Sequence, residues 1–198
     1  MRTSTIMLAN NEPMNSSPHI SPVTPYKKGL VEVFTGDGKG KTTAALGTIF
    51  RAVGHGLHVC IVHFMKGQYP YGEYKTAEKC PNVTIGVFGR ISFVDPNNIE
   101  EVDKEEARKA LDYASNAIYN GKYDIVILDE VNIASGWGLI DVEDVIRLIK
   151  EKPDDVELIL TGRYADKRII DCADLVTEMV SRKHPYEKGI KARLGIEY

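Results

Sequence analysis

The chain has 198 residues, and its 25 Lys and Arg against 28 Asp and Glu give a formal net charge of -3. Hydrophobic residues make up 43% and charged residues 27%, which is typical of a soluble globular protein, and the length favours a single domain. This balance excludes the broad electrostatic attraction on which sequence-independent binding to nucleic acid or to an anionic membrane depends. We therefore expect no nucleic-acid or membrane partner, and expect ligands to bind in a defined site.

The cysteines indicate a reducing compartment, and the short apolar segments argue against a membrane span or a signal peptide. Cys60, Cys80 and Cys172 show no C-x-x-C spacing, which argues against a disulfide framework and against a cysteine zinc site. No apolar run reaches the roughly 18 residues that span a bilayer. The apolar piece at residues 6–9 is too short for the core of a signal peptide. The sequence predicts a cytoplasmic protein.

Residues 1–28 differ in composition from the rest of the chain. They hold four of the nine prolines and only four charged residues, and they lack periodic apolar positions. Such a segment cannot offset the entropy of ordering its backbone. We interpret it as a flexible N-terminal arm, with a lid or a partner-contacting segment as the alternative. A single domain is predicted over residues 29–198.

From residue 30 onward, short apolar runs alternate with longer amphipathic stretches. The patterns predict strands at 30–34, 57–64, 83–88, 125–128 and 156–160, helices at 41–53, 99–119 and 142–149, and a last apolar run at 175–180. Strands that are apolar on both faces and separated by helices describe a parallel sheet covered on both sides. We therefore predict a three-layer α/β/α domain with a mostly parallel central sheet.

The most informative segment is TGDGKGKTT at residues 35–43, between a predicted strand and a predicted helix. Glycines let successive N–H groups point at phosphate oxygens, and a helix N-terminus adds partial positive charge. Lys41 would add a mobile charge and Thr42 a hydroxyl for Mg²⁺. This context predicts a P-loop NTPase fold of the RecA-like type, with a glycine-rich turn as the structural alternative. The predicted ATP-binding residues here are Thr35, Gly36, Asp37, Gly38, Lys39, Gly40, Lys41, Thr42 and Thr43, and Thr35 stands where the general P-loop pattern has glycine.

A second segment supplies the acid that a P-loop site needs. The strand DIVILDE at residues 124–130 ends in the carboxylates of Asp129 and Glu130. Mg²⁺ prefers oxygen ligands, and P-loop proteins hold it through carboxylate, hydroxyl, water and phosphate. Acidic residues also end many strands without any function, so the segment indicates a metal site only in combination with the P-loop.

Three histidines lie close together in the sequence. His55, His58 and His63 straddle a turn and a strand, which does not bring three ring nitrogens to one point, so a surface or packing role is favoured over a metal site. Cys60, in the middle of a predicted strand, is expected to be a buried small apolar residue.

Several separate segments together resemble one family, the P-loop-type ATP:corrinoid adenosyltransferases. The resemblance runs from about residue 29 to residue 198, and Thr35 is the normal residue of that family at its position. The matching segments are FTGDGKGKTTAA at 34–45, RAVGHG at 51–56, FMKG at 64–67, LDE at 128–130, LTGR at 160–163, KHP at 183–185, GIKA at 189–192 and GIEY at 195–198.

The resemblance implies transfer of the 5'-deoxyadenosyl group of ATP to the Co(I) centre of a corrinoid, cobalamin or cobyrinic acid a,c-diamide, with release of tripolyphosphate. It implies a role in adenosylcobalamin biosynthesis or salvage, a homodimer, and an electron donor such as a flavoprotein. It further implies Mg²⁺ or Mn²⁺ as cofactor. By position, the implied residues are Lys41, Thr42 and Glu130 for catalysis, Thr42, Asp129 and Glu130 for the metal, Arg51 and Arg163 for ATP, and His55, Met65, Ile91 and Phe93 for the corrinoid.

Ile91 and Phe93 align with an aromatic pair that, in related members, lies below the corrin. The family is thought to ease reduction of cobalt by removing its lower axial ligand, which an apolar wall does better than a histidine. Phe93 keeps the aromatic character and Ile91 departs from it. Packing of a loop is the alternative role for both residues.

Two other classes of function would use the same P-loop. A phosphotransferase or motor ATPase would use Glu130 as the base that activates water or an acceptor. A regulatory module would bind ATP without turnover. Product analysis distinguishes the three classes. The adenosyltransferase releases free tripolyphosphate, the ATPase or kinase produces ADP, and the regulatory module leaves ATP unchanged.

Overall fold

A computed structural model of the chain describes residues 28–67 and 71–198. The predicted N-terminal arm lies outside the described residues, apart from Lys28 at its end.

The described part of the chain is built on one parallel sheet of six strands in the order β3-β2-β4-β5-β1-β6. Apolar, largely β-branched segments form the strands because both faces of the sheet are covered by helices. The strands are β1 Val31–Thr35, β2 Val59–His63, β3 Val83–Val87, β4 Ile125–Asp129, β5 Glu157–Thr161 and β6 Leu175–Glu178.

Within the described residues, six helices and one short 3-10 helix follow the strands, with two of the helices between β4 and β5. They are α1 Lys41–Gly54, α2 Gly72–Ala77, α3 Glu101–Tyr119, α4 Val131–Gly136, α5 Val142–Glu151, α6 Lys167–Cys172 and the 3-10 turn Pro185–Lys188. Helix α3 begins with a capping box between Glu100 and Asp103. Helix α5 is preceded by its N-cap residue Asp141, whose side chain accepts from the backbone N–H of Glu143 at 2.9 Å.

The core is divided between the two faces of the sheet. Alternate residues of the central strands point to opposite sides, so Ile127 packs with α1 and its neighbour Leu128 packs with α3 and α5. Ala45 and Ile49 of α1 lie on the first face. This arrangement confirms the predicted three-layer α/β fold.

The long, periodic elements were predicted correctly in type and within a few residues of their ends. Helices α2, α4 and α6 were missed, because each has only six residues and shows less than two turns of apolar periodicity. Cys60 is fully buried in β2, as predicted, and the three cysteines are free. No helix of the described residues combines the length and the apolar character that a membrane crossing requires.

The topology gathers polar residues at one edge of the sheet. The carboxyl ends of parallel strands meet there, and in open α/β sheets ligands bind beyond that edge. Thr35, His63, Asp129 and Thr161 are the last residues of β1, β2, β4 and β5, and all four are buried.

Candidate active site

The phosphate loop connects β1 to the first turn of α1. The Lys41 ammonium lies inside this loop and donates to the carbonyl oxygens of Gly36 and Gly38, each at 2.7 Å. Burial lowers the pKa of Lys41, and Glu130 partly offsets that effect. Gly36 adopts a φ of 92°, and a Cβ there would collide with the carbonyl oxygen of Met179. The loop therefore requires glycine for its conformation and for its close packing.

Thr35 has a structural role at the start of this loop. Its hydroxyl accepts from the backbone N–H of Ala165 at 3.3 Å, and its carbonyl oxygen accepts from the N–H of Met179 at 2.8 Å. The threonine thus links the loop that follows β5 to the segment that follows β6. A glycine at this position would lack the hydroxyl.

Asp129 is the most heavily bonded side chain of the site. Its Oδ1 accepts from the hydroxyls of Thr42 at 2.8 Å and Thr161 at 2.7 Å. Its Oδ2 lies 2.8 Å from Nδ1 of His63 and 2.6 Å from Nζ of Lys66. All the positions at which the carboxylate readily accepts are therefore filled by protein donors.

The charge on Asp129 is fixed by these neighbours. Its complete burial acts to raise the pKa, but Lys66 and His63 outweigh burial and hold the pKa below its usual range. For Lys66, burial acts to lower the pKa, whereas the ion pair with Asp129 more than compensates and raises it. The pair is therefore an ionised carboxylate and an ammonium at neutral pH.

His63 and Lys66 belong to this site although sequence reasoning did not assign them to it. Because a carboxylate oxygen can only accept, Nδ1 of His63 carries the hydrogen that points at Asp129. Its Nε2 is buried and has no hydrogen-bond partner within the described part of the chain. No group of three or more His, Cys, Asp or Glu residues that could hold a metal ion occurs in the described part of the chain. The position of His63 near the carboxyl end of a predicted strand, where ligands of open α/β sheets bind, was the signal that could have identified it.

Glu130 differs from its neighbour Asp129. Its backbone has a φ of 68°, and its N–H donates to the hydroxyl of Thr161 at 3.0 Å. Its Oε2 is buried and has no hydrogen-bond partner among the described residues. Burial, together with the charge of Asp129, raises the pKa of Glu130 to about 7. Glu130 is therefore a carboxylate with a spare acceptor oxygen beside the phosphate loop.

Backbone strain is concentrated at this edge of the sheet. The non-glycine residues with positive φ in the described residues are Met65 at 56°, Glu130 at 68° and Tyr164 at 60°. They follow β2, β4 and β5 respectively, so each lies just beyond the carboxyl end of a strand. Such conformations cost free energy and occur preferentially at functional sites.

The predicted ATP residues are only partly brought together. Arg163 follows β5 and lies close enough to Lys41 and Glu130 to influence the pKa of each. Arg51 lies in the last turn of α1 and His55 just after it. At 1.5 Å per residue, they are about 15 Å and 20 Å along the helix from Lys41. The structure does not place Arg51 at the phosphate loop, and its role in binding ATP stays a prediction. His55 was predicted to bind the corrinoid, and that role also stays a prediction.

The outer side of the phosphate loop contacts the end of the chain. Asp37, Lys39 and Thr43 are exposed. The Lys39 ammonium lies 2.8 Å from the Glu197 carboxylate and 3.4 Å from the carbonyl oxygen of Ile196. The last residues of the chain therefore lie beside the predicted phosphate site.

The predicted corrinoid residues Ile91 and Phe93 lie in the loop between β3 and α3. Their exposed fractions are 83% and 93%. A Cβ on Gly89 would collide with the backbone of Met65, so this loop packs directly against the residue that follows β2. A cleft of about 650 Å³ lies beside the loop and is lined by Gly89, Arg90, Ile91, Ser92, Val102 and Glu106.

A glycine-built loop between β1 and α1, and an acidic pair at the end of β4, together define a P-loop nucleotide-binding protein. Residues 27–198 match a family described as ATP:corrinoid adenosyltransferase BtuR/CobO/CobP. The chain belongs to this family.

Proteins named corrinoid adenosyltransferase are similar over most of their length. One from Sinorhizobium sp is 42% identical over 178 residues, covering 87% of this chain and 81% of that protein. One from Escherichia coli K12 is 37% identical over 172 residues, covering 87% of each chain. The Salmonella typhimurium LT2 protein, named corrinoid adenosyltransferase CobA, is 36% identical over 172 residues, again covering 87% of each.

Proposed function

We propose that this chain transfers the 5'-deoxyadenosyl group of ATP to the Co(I) of a corrinoid, cobalamin or cobyrinic acid a,c-diamide, and releases tripolyphosphate. The observation that carries the proposal is membership of the adenosyltransferase family over residues 27–198. The reaction belongs to the biosynthesis or salvage of adenosylcobalamin.

In this reaction, an electron pair of Co(I) forms the bond to the ribose C5' carbon. The bond between C5' and its oxygen breaks, and its electron pair leaves with the triphosphate, so cobalt becomes formally Co(III). A corrinoid that enters as Co(II) first needs one electron, which we assign to a one-electron donor such as a reduced flavoprotein. The cobalt of the corrinoid substrate is the nucleophile, whereas the protein positions the two substrates and stabilises the charge of the leaving group.

The phosphate loop is suited to stabilise the leaving triphosphate. Lys41 donates to the carbonyl oxygens of Gly36 and Gly38, and phosphate oxygens would replace these acceptors. Lys41 and the backbone N–H groups of the loop then face the charge that develops as the C5'–O bond breaks. Arg163, close to Lys41, adds a second cation on this side.

The side chains around Glu130 fit a divalent cation, Mg²⁺ or Mn²⁺. Thr42 gives its hydrogen to Asp129, which leaves the oxygen lone pairs of Thr42 directed elsewhere. Glu130 has a buried oxygen without a partner in the described residues, whereas Asp129 has its acceptor positions filled. Thr42 and Glu130 would hold the ion directly, with Asp129 orienting Thr42. The bound ion would neutralise charge on the triphosphate.

Met65, Ile91 and Phe93 are the residues we assign to the corrinoid. The exposed apolar side chains of Ile91 and Phe93 are available to cover the lower face of a corrin. Exclusion of water and nitrogen ligands from that face favours four-coordinate Co(II), which is easier to reduce. Met65 lies directly beside the loop that carries both residues.

Two further features belong to the proposal. We expect a homodimer, because the family resemblance implies one and because β6 at the edge of the sheet exposes Leu175 and Val176. Sedimentation at micromolar concentration that shows only a 22.0 kDa species would exclude it. We also expect a cytoplasmic location, with which three free cysteines agree.

An ATPase is the second candidate, and Glu130 is the observation that favours it. A carboxylate with a pKa of about 7 could act as the base that activates water. The test is to incubate the protein with ATP, Mg²⁺ and chemically reduced cobalamin, and to record the corrinoid spectrum and the phosphate product. Tripolyphosphate with an alkylcobalamin spectrum supports the transferase. ADP or unchanged ATP, with no alkylcobalamin, contradicts it.

A further inference from the structure

The loop between β3 and α3 carries Ile91 and Phe93, and most of its side chains are exposed. Val94 and Ile99 of this loop are partly buried and pack against the core, whereas Ile91 and Phe93 are exposed. An exposed stretch with few apolar contacts opens at low cost, so the position of Ile91 and Phe93 depends on the polar contacts at the start of the loop. Arg90 makes the strongest of these contacts.

The Arg90 guanidinium connects the start of this loop to its end. Its Nε lies 2.7 Å from Oδ1 of Asp103 and its Nη2 lies 2.9 Å from Oδ2, which is a bidentate pair. Its Nη1 lies 3.0 Å from Oε1 of Glu100. The planar fork of arginine thus binds both carboxylates at the N-terminus of α3.

Asp103 is a firm anchor for this contact. The residue is 3% exposed, and its Oδ2 also accepts from the backbone N–H of Glu100 at 3.0 Å, as part of the capping box of α3. A buried carboxylate without its cationic partner is strongly unfavourable. The pair with Arg90 therefore restrains the loop relative to a helix whose side chains lie in the core.

The backbone of Arg90 is held on its other side by the segment that follows β2. A Cβ on Gly67 would overlap the carbonyl oxygen of Arg90, and the N–H of Lys66 donates to the carbonyl oxygen of Phe88 at 3.0 Å. Lys66 in turn forms the ion pair with Asp129. The loop that bears Ile91 is therefore fixed between the nucleotide side of the site and helix α3.

We propose that Arg90 is a positioning residue for the corrinoid, because its bidentate pair with Asp103 fixes the loop that presents Ile91 and Phe93 to the lower face of the ring. The inference rests on the proposed function. Without this clamp, the two apolar side chains lose a defined position, and water or a nitrogen ligand gains access to cobalt. The consequence falls on reduction of Co(II) and not on binding of ATP.

The test compares Arg90→Met and Arg90→Lys with the wild type. Methionine keeps the apolar stem without the charge, and lysine keeps the charge without the fork. Arg108→Met is the matched control, because Arg108 is an exposed arginine of α3. Each protein is assayed with Co(II) plus a reductant and with chemically pre-formed Co(I), the KM for ATP is measured, and the Co(II) complex with ATP is examined by electron paramagnetic resonance.

For Arg90→Met, we expect about a tenfold loss of turnover from Co(II), because charge-assisted contacts to a buried carboxylate are removed. Turnover from Co(I) and the KM for ATP should stay within about twofold of wild type, which is the variation expected for a substitution that affects neither step. The resonance spectrum should lose its four-coordinate Co(II) signal. Arg90→Lys should show an intermediate loss and Arg108→Met none.

Equal losses from Co(II) and Co(I), or an unchanged four-coordinate signal, would overturn the role of Arg90. If thermal melting shows that Arg90→Met is unfolded at the assay temperature, Arg90→Lys decides the question by the same two criteria. The wild type separates this inference from the function itself. If the wild type forms no alkylcobalamin from Co(I), the proposed function fails, whereas an active wild type with indifferent Arg90 variants overturns only the positioning role.

Discussion

Thr42 donates its hydroxyl hydrogen to Oδ1 of Asp129 across 2.8 Å, and so joins the first turn of α1 to the end of β4. This bond gives the two acidic residues of the site different tasks. Asp129 is occupied by protein donors and orients Thr42, while Glu130 keeps an oxygen without a partner in the described residues. A metal requirement should therefore depend on Glu130 more directly than on Asp129.

Lys41→Ala should remove most of the activity and leave the fold intact. Loss of a charge-assisted contact costs about 1.5 to 3 kcal/mol, which corresponds to roughly tenfold to a hundredfold in rate. The measurement is turnover with pre-formed Co(I), together with a thermal melt. Lys150→Ala, at an exposed lysine of α5, is the control and should behave as wild type. Wild-type turnover in Lys41→Ala would reject its role at the triphosphate.

Glu130→Gln should raise the Mg²⁺ concentration needed for half-maximal activity and lower turnover. The amide keeps the size of the side chain but removes the charge that would bind the cation. A metal titration of activity measures the effect, and Glu151→Gln, at an exposed residue of α5, serves as the control. An unchanged titration curve in Glu130→Gln is the result that would exclude this residue as a ligand.

Phe93→Ala should slow reaction from Co(II) and leave reaction from Co(I) nearly intact. On the proposed assignment, removing the ring would open the lower face of the corrin to water or to the displaced base, so the cobalt would be harder to reduce. Phe50→Ala is a close control, because this phenylalanine of α1 is 87% exposed, compared with 93% for Phe93. A defect of equal size in both assays, or a large loss of ATP affinity, would assign Phe93 to packing of the loop.

Glu157 should make stability depend on pH. Burial, with the nearby Glu32 carboxylate adding to it, raises the pKa of Glu157 from its ordinary value of 4.5 to about 7 in the folded protein. Because the folded state then holds the proton more tightly than the unfolded state, this group loses its stabilising contribution as pH rises from about 4.5 to about 7.

Glu157→Gln tests this pH dependence, since the amide stays neutral and can still accept from the backbone N–H of Leu30. The melting temperature of Glu157→Gln relative to wild type should rise as pH increases through that window. Glu78→Gln, at an exposed residue after α2, should show no such trend. A pH-independent difference for Glu157→Gln contradicts the prediction.

The sequence was sufficient for the elements that carry strong local signals. The phosphate loop at residues 35–43 was recognised from glycine spacing between a strand and a helix, and Ile125–Asp129 from its continuous apolar run. The helices of six residues were not predicted, because they bury few side chains and are too short to show apolar periodicity. The parallel pairing of the strands, by contrast, can be predicted from the alternation of strands and helices along the chain.

Contacts between side chains of neighbouring strands could not be predicted from the sequence. His63 and Lys66 converge on Asp129 only because β2 lies next to β4, and strand order is a tertiary property. The same applies to Arg90 and Asp103, which are separated by a loop with no pattern of its own. Charge and residue type identified the candidates, but the register of neighbouring strands decided which of them meet.

The segment that follows β6 has a consequence for how the protein responds to its nucleotide. Gly38 donates its N–H to the carbonyl oxygen of Met179 at 2.6 Å, while β6 pairs with no described strand other than β1 and is exposed at every residue. An exposed edge strand opens locally at lower cost than the whole domain. A ligand that binds only when the phosphate loop is intact must oppose this opening by linkage. ATP should therefore slow amide hydrogen exchange along β6, even where no atom of that strand touches the nucleotide.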